Sequence, residues 1–98
     1  MLLKIHKAYR DVVAVCDSEL LGKYFEEGIK QLDIRENFYN GEKKSEKELI
    51  ELLKDLAMED STFNIVGKKS CDCAIKAGII SKHGIKTVSG VPFSLVLL

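Results

Sequence analysis

The clearest pattern of apolar and polar residues in this chain is helical. Apolar residues recur every three or four positions from Leu49 to Ala57, and charged residues fill most of the positions between them. Ser45 and Glu48 come directly before this run, and the three positions between them are the spacing of a capping box. The pattern therefore predicts an amphipathic helix over Ser45–Ala57 that buries one stripe of side chains.

Two segments near the N-terminus have the patterns of β-strands. Apolar and polar residues alternate from Leu3 to His6, as in a strand with one buried face. Val12–Cys16 is a continuous apolar run rich in valine, which is typical of a central strand. Arg10–Asp11 between them has the composition of a turn. We therefore expect the two strands to pair as a hairpin.

The next part of the chain predicts a short helix and two short strands. Asp17 is a good N-cap, so a helix is expected over Ser18–Lys23. Tyr24–Glu26 and Ile29–Asp33 are predicted strands, with a turn at Gly28 between them.

Arg35–Lys44 is the longest stretch without a clear period, and we expect it to be irregular. It contains Phe38 and Tyr39 directly before Asn40–Gly41, a dipeptide that favours a tight turn. Two aromatic residues beside a turn usually anchor a loop to the core. They could also form a binding surface, but the anchoring interpretation is preferred.

The C-terminal part alternates between strands and a helix joined by glycines. We expect a strand over Thr62–Val66, a turn at Gly67, a helix over Lys68–Ala77, and strands over Ile85–Val88 and Phe93–Leu97. The elements together predict an α+β fold. We expect a two-layer sandwich in which a mixed β-sheet carries the two main helices on one face.

Length and composition limit the function. A chain of 98 residues with 46% apolar and 31% charged residues predicts one globular domain, residues 1–98. With 15 basic and 15 acidic residues the net charge is zero, which argues against a strongly basic nucleic-acid-binding protein. Three cysteines and the lack of a signal-like start favour a cytoplasmic protein with reduced thiols. No segment approaches the ~20 apolar residues of a membrane span, so no membrane partner is expected.

The segment Gly67–Ser70 follows a strand and opens a helix, as a phosphate-binding loop does. The full motif would need glycine at position 62 and a hydroxyl residue at position 69, where this chain has Thr62 and Lys69. These two departures argue against a nucleoside-triphosphatase loop. Free N–H groups at a helix start can still hold an anion. The residues predicted for an anion or RNA phosphate are Asn64, Gly67, Lys68, Lys69, Ser70 and Gly90.

The sequence predicts no metal, cofactor or catalytic residue. Cys71 and Cys73 are two positions apart, so on a helix they point in nearly opposite directions. Cys16 belongs to a buried strand pattern, and all three thiols are interpreted as small core residues. His6 and His83 stand alone, without a nucleophile motif nearby.

Several segments resemble, in order, a small archaeal family of uncharacterised proteins, and they span nearly the whole chain: Leu3–His6, Val12–Lys23, Asn37–Glu42, Asn64–Gly67, Ala77–Ile80 and Gly90–Pro92. The family is catalogued as domain of unknown function 424. The resemblance implies an archaeal cytosolic protein with a two-layer α+β fold, and it implies no activity. Many members have histidine after Gly-Val-Pro, where this chain has Phe93. That exchange argues against an enzyme whose mechanism uses this position.

Three hypotheses for the function remain open. The first is a non-enzymatic module that binds RNA or a ribonucleoprotein, such as a translation-associated partner. It rests on the C-terminal third, where the sole acidic residue is Asp72 and the lysines are Lys68, Lys69, Lys76, Lys82 and Lys86. A solvated surface would explain the lysines equally well.

The second hypothesis is a small-molecule-binding protein or small enzyme with its site at the Gly67 and Gly90 turns. The third is a protein-interaction subunit, with a homodimer formed through the C-terminal strand. In that strand the apolar residues Phe93, Leu95, Leu97 and Leu98 would lie along an exposed edge.

Overall fold

The computed structural model describes residues 1–97 of the chain, so Leu98 of the predicted edge lies outside the described residues. The strands are β1 Leu2–His6, β2 Asp11–Cys16, β3 Tyr24–Glu27, β4 Lys30–Asp33, β5 Glu42–Lys43, β6 Ser61–Val66, β7 Lys86–Val88 and β8 Val91–Leu97. The helices are α1 Glu36–Tyr39, α2 Glu46–Ala57 and α3 Lys68–Lys76, and two 3₁₀ turns cover Ser18–Leu20 and Lys82–Gly84.

Six strands form a mixed sheet in the order β5-β1-β2-β6-β8-β7. The predicted hairpin of β1 and β2 is confirmed, with Leu3 opposite Val15. Strands β2 and β6 are parallel, and the other pairs in this sheet are antiparallel. Strands β3 and β4 form a separate two-stranded hairpin.

Each face of the sheet has its own core. Helices α2 and α3 cover one face, where Leu49, Leu53, Phe63 and Ile65 are buried. The predicted α+β class and the two main helices on one face are therefore confirmed. The β3–β4 hairpin and α1 cover part of the second face, where a smaller core includes Cys16, Ile34, Tyr39 and Val66.

The helix predicted over Ser18–Lys23 is wrong, because only a 3₁₀ turn forms at Ser18–Leu20. The Asp17 side chain makes no capping hydrogen bond to that turn. Its carboxylate instead accepts hydrogen bonds from Lys69 and Ser70, far along the chain. Without a local cap, the segment has little to favour a longer helix.

The prediction of an irregular Arg35–Lys44 is also wrong, since this stretch contains helix α1 and strand β5. Strand β5 pairs with the start of β1. Gly41 is required here because a Cβ atom at this position would collide with the backbone carbonyl of Leu3. The contact between Gly41 and β1 joins distant parts of the chain, so it produces no periodic pattern within Arg35–Lys44.

Candidate functional site

The predicted anion site lies where two parallel strands end. Strand β2 is followed by Asp17, and its parallel neighbour β6 is followed by Gly67. The N–H of Asp17 donates to the carbonyl of Val66 at 3.1 Å, which extends the pairing of the two strands by one step. The carboxyl ends of parallel strands share one sheet edge, so Asp17 lies beside the start of α3.

The start of α3 is capped by Asp17. Its carboxylate accepts hydrogen bonds from the N–H of Lys69 at 3.2 Å, and from the N–H and hydroxyl of Ser70 at 2.8 and 2.7 Å. Asp17 is only 4% exposed. Its negative charge also lies at the positive end of the helix dipole. The chain's own carboxylate thus occupies the position that the sequence suggested for a bound anion.

Gly67 makes this cap possible. Its backbone has φ +108°, a conformation that residues with a side chain rarely adopt. A Cβ atom at this position would collide with the carboxylate of Asp17. Gly67 therefore serves the packing of Asp17 against the helix.

The thiols around this cap are buried and protonated at neutral pH. Burial and, to a lesser extent, the nearby charge of Asp17 raise the pKa of Cys16 to about 11 and that of Cys71 to about 12. Burial also raises the pKa of Cys73. Because the thiolate is the reactive form, these cysteines are poor nucleophiles and poor metal ligands. Among residues 1–97, no three His, Cys, Asp or Glu side chains are grouped so that they could hold a metal ion.

A shallow cleft lies between α3 and the β7–β8 hairpin. Its volume is about 350 Å³, and its lining residues are Lys68, Cys71, Asp72, Ile85, Thr87, Gly90 and Pro92. The N–H of Gly67 donates to the carbonyl of Pro92 at 2.8 Å, which ties the start of α3 to β8. The two glycine joints singled out in the sequence are therefore neighbours, and we call this feature the α3–β7 cleft.

The six residues predicted for anion binding are only partly brought together. Lys68 and Gly90 line the α3–β7 cleft, and Lys69 is exposed next to Lys68. Ser70 is buried, and its hydroxyl is bound to Asp17. Asn64 lies elsewhere, in the middle of β6 between Ala14 and Leu95.

The C-terminal lysines differ in their partners. Lys76 contacts Glu46 at 2.6 Å, and Lys68 contacts Asp72 at 3.5 Å. Lys69, Lys82 and Lys86 are exposed, and within the described part of the chain none of them makes an ion pair.

The aromatic residues near Asn40 anchor their segment, as the preferred interpretation predicted. Tyr39 is buried in the second core, and burial raises its pKa to about 12. Phe38 stacks on His6 with ring centroids 4.5 Å apart. His6 Nε2 donates to the Phe38 carbonyl at 2.8 Å, so both groups fasten α1 to β1.

Sequence reasoning missed Asp17 as part of the site. Its position directly after a buried strand was a usable signal, because polar groups at strand ends often meet across a parallel pair. That β2 and β6 are parallel neighbours, however, could not be read from either segment alone.

Comparison with known proteins finds a family of unknown function and a solved structure of similar fold. A family model described as "Protein of unknown function (DUF424)" matches residues 6–98. The crystal structure of an uncharacterised conserved protein from Methanopyrus kandleri is similar with a TM-score of 0.82 and 26% identity, covering 97% of this chain and 88% of that one. No curated protein matches the sequence. None of the helices in residues 1–97 has the length and apolar character needed to cross a membrane.

Proposed function

Since the chain belongs to the DUF424 family of proteins of unknown function, we propose a function from its own geometry: a non-enzymatic module that binds RNA, free or within a ribonucleoprotein. The binding surface is a group of four exposed lysines, which we call the basic edge: Lys68, Lys69, Lys82 and Lys86. The observation that carries the proposal is that three of them, Lys69, Lys82 and Lys86, have no ion-pair partner among the described residues.

The lysines of the basic edge lie on the elements that form the α3–β7 cleft or lead into it. Lys68 lines the cleft together with Ile85 and Thr87. Lys86 lies between these two residues on β7, so its side chain faces the other side of the strand, beside Phe93 and Leu95. Lys82 begins the 3₁₀ turn that leads into β7, and its carbonyl accepts from the N–H of Ile85 at 3.3 Å. Phosphate contacts from lysine supply most of the sequence-independent affinity for nucleic acid. Exposed cations on α3, on the Lys82–Gly84 turn and on β7 suit a backbone contact of this kind.

The ion pair of Lys68 does not prevent its use. Its side chain is 82% exposed and that of Asp72 is 52% exposed, with 3.5 Å between the charged atoms. Exposed pairs of this type contribute ~0–1 kcal/mol, so a phosphate can replace Asp72 at little cost.

The interior supports a binding role over a catalytic one. Asp17 is the buried carboxylate nearest the glycine joints, and its two oxygens are occupied by the start of α3. The thiols of Cys16 and Cys71 have raised pKa values and are buried. These groups are committed to the fold, whereas the lysines of the basic edge face solvent.

The test is a salt series of RNA binding. The protein is titrated with a fluorescent single-stranded RNA and with total tRNA at several salt concentrations. We compare the wild type with the triple variant Lys68→Gln, Lys69→Gln, Lys82→Gln. Lys86 is left unchanged because it lies in the β7–β8 strand pair, opposite Phe93. Each lost phosphate contact should lower the salt slope of log K by ~0.7 for single strands. The triple variant should therefore show weaker binding and a slope smaller by up to ~2.

The matched control replaces three exposed lysines elsewhere, Lys23, Lys30 and Lys47, with glutamine, which gives the same net charge. This control should keep the wild-type slope. Lack of salt-dependent binding at micromolar protein, or an equal loss in the control, would refute the proposal.

A second function is favoured by the volume of the α3–β7 cleft. At about 350 Å³ it falls within the size range of small-ligand pockets. A nucleotide or other metabolite could bind there through the Lys68 ammonium and the Thr87 hydroxyl. Thermal unfolding with a panel of nucleotides and metabolites separates this function from RNA binding. A true ligand at a hundred times its Kd adds about 2.7 kcal/mol of stability, and a panel without shifts rules this function out for the compounds tested.

A further inference from the structure

Strand β8 has an outer edge that is only partly covered. Its inner edge pairs with β6 from Phe93 to Leu97. Its outer edge pairs with β7 only over Val91–Phe93. In the described part of the chain, no strand pairs with the outer edge from Ser94 to Leu97, which we call the open edge.

The Lys82–Gly84 turn covers the open edge at Ser94, whose hydroxyl donates to the Gly84 carbonyl at 3.1 Å. Beyond Ser94, the open edge lacks the residues that usually protect a sheet edge. Ser94–Leu97 contains no charged residue and no proline. Leu95 is 59% exposed and Leu97 is 73% exposed, and they alternate onto the same sheet face as Phe93. A strand with unpaired backbone groups and adjacent exposed leucines is a template for another strand.

The backbone direction fixes which residues can pair. The carbonyl of Pro92 points toward β6, because it accepts from Gly67. Backbone groups alternate along an antiparallel strand, so the N–H and C=O groups of Leu95 and Leu97 point outward. We propose that residues Leu95–Leu97 of the open edge pair with the same residues of a second copy of this chain, antiparallel and about a two-fold axis at Val96.

In this register, Leu95 of one copy lies opposite Leu97 of the second copy, and the reverse pair follows by symmetry. Residues directly opposite in an antiparallel pair lie on the same sheet face. Four exposed leucines would therefore form one apolar cluster, and the two sheets would join into one continuous sheet.

Charge at the two ends of the open edge also fits a second copy. Lys86 lies at one end, opposite Phe93. Glu59 and Asp60 lie at the other end, because β6 begins at Ser61 and pairs with the end of β8. Asp60 is already paired with Arg10 at 3.1 Å, which leaves Glu59 as the acid available there. Antiparallel pairing brings the Lys86 end of each copy to the Glu59 end of the other.

The experiment is sedimentation equilibrium or light scattering over a range of protein concentrations, in the absence of RNA. The wild type should form a dimer in a concentration-dependent way. Leu95→Lys places a charge opposite Leu97 of the second copy and should raise the dimer Kd at least ~10-fold. Ile29→Lys is the matched control, because Ile29 is fully exposed on the β3–β4 turn, away from the open edge.

The register is tested by exchanging charges. Lys86→Glu should weaken the dimer, and the double variant Lys86→Glu, Glu59→Lys should recover it. Circular dichroism confirms that each variant is folded. A wild type that stays monomeric at its highest soluble concentration overturns the proposal, as does a dimer that Leu95→Lys leaves intact. Failure of the double variant to recover overturns the antiparallel arrangement. Because no RNA is present, these outcomes are independent of the RNA-binding experiment.

Discussion

Helices α2 and α3 are both capped by a side chain at their N-terminus, but the capping residues come from different parts of the chain. Helix α2 is capped by its own sequence: Ser45 accepts from the Glu48 N–H, and the Glu48 side chain accepts from the Ser45 N–H. Helix α3 has no cap from the residue before it, which is Gly67. Its cap is Asp17, 52 and 53 positions away from the residues that donate to it.

The difference shows what each cap contributes. The α2 cap is exposed and local, so it stabilises mainly its own helix. The α3 cap is buried and joins the end of β2 to the helix after β6. Its loss would therefore loosen the centre of the sheet as well as one helix turn.

The largest effect is expected for Gly67→Ala. The new Cβ would stand in an unfavourable backbone conformation and collide with the Asp17 carboxylate. Together these effects should lower the free energy of unfolding by roughly 3–5 kcal/mol, measured by urea denaturation. Gly78→Ala is the control for a positive φ, because Gly78 has φ +81° but nothing within 4 Å of its Cβ position. The control should lose only ~1 kcal/mol, and equal losses for both variants would show that the contact with Asp17 is unimportant.

Asp17→Ala should have the next largest effect. The variant leaves the N–H groups of Lys69 and Ser70 and the Ser70 hydroxyl without an acceptor in a mostly buried place. The expected loss is roughly 2–3 kcal/mol. Asp60→Ala removes an exposed carboxylate from its ion pair with Arg10 and should cost less than ~1 kcal/mol. A loss for Asp17→Ala as small as that control would contradict the buried cap.

Alkaline pH should destabilise the surroundings of the α3 cap. The pKa of Cys16 is raised from 9.0 to about 11, and that of Cys71 to about 12. Above pH ~9 the unfolded thiols ionise while the folded ones stay protonated, so the unfolded state is favoured. Each buried thiol makes its full contribution to the free energy of unfolding below pH ~9. Above that pH the contribution falls by about 1.4 kcal/mol per pH unit, until the pKa of the folded thiol is reached. Urea midpoints between pH 8 and pH 10 would show the decline, and Cys16→Ala should reduce its slope.

The smallest effect is expected at α2. Ser45→Ala removes one hydrogen bond of an exposed capping box and should cost ~1 kcal/mol. Thermal unfolding is sufficient to detect it. A loss larger than that of Asp17→Ala would reverse the proposed ranking of the two caps.

The same contrast explains what the sequence could predict. Helix α2 and the β1–β2 hairpin were predicted because their signals lie within a few neighbouring residues: a capping box, apolar periodicity and a short turn. Helix α1 and strand β5 were missed, since β5 exists by pairing with β1 and Gly41 is needed for the approach to Leu3. Asp17 was assigned to a local cap because its true partners, Lys69 and Ser70, are near it only after the sheet forms.

The candidate site was predicted in part for the same reason. Glycines at Gly67 and Gly90 were visible as joints in the sequence, and the structure places both beside the start of α3. Neither the occupation of that helix start by Asp17 nor the separation of Asn64 from the cleft could be read from spacing. The proposed function therefore assigns phosphate binding to the lysine side chains, and not to the N–H groups at the start of α3.

The most direct test of the buried cap is a double-mutant cycle between Asp17 and Ser70. The free energy of unfolding is measured by urea denaturation for the wild type, Asp17→Ala, Ser70→Ala and the double variant. Because the Ser70 hydroxyl donates to Asp17 at 2.7 Å in a buried place, the two losses should fall short of additivity by ~1 kcal/mol or more. Losses that add within ~0.3 kcal/mol would contradict the account that Asp17 caps helix α3.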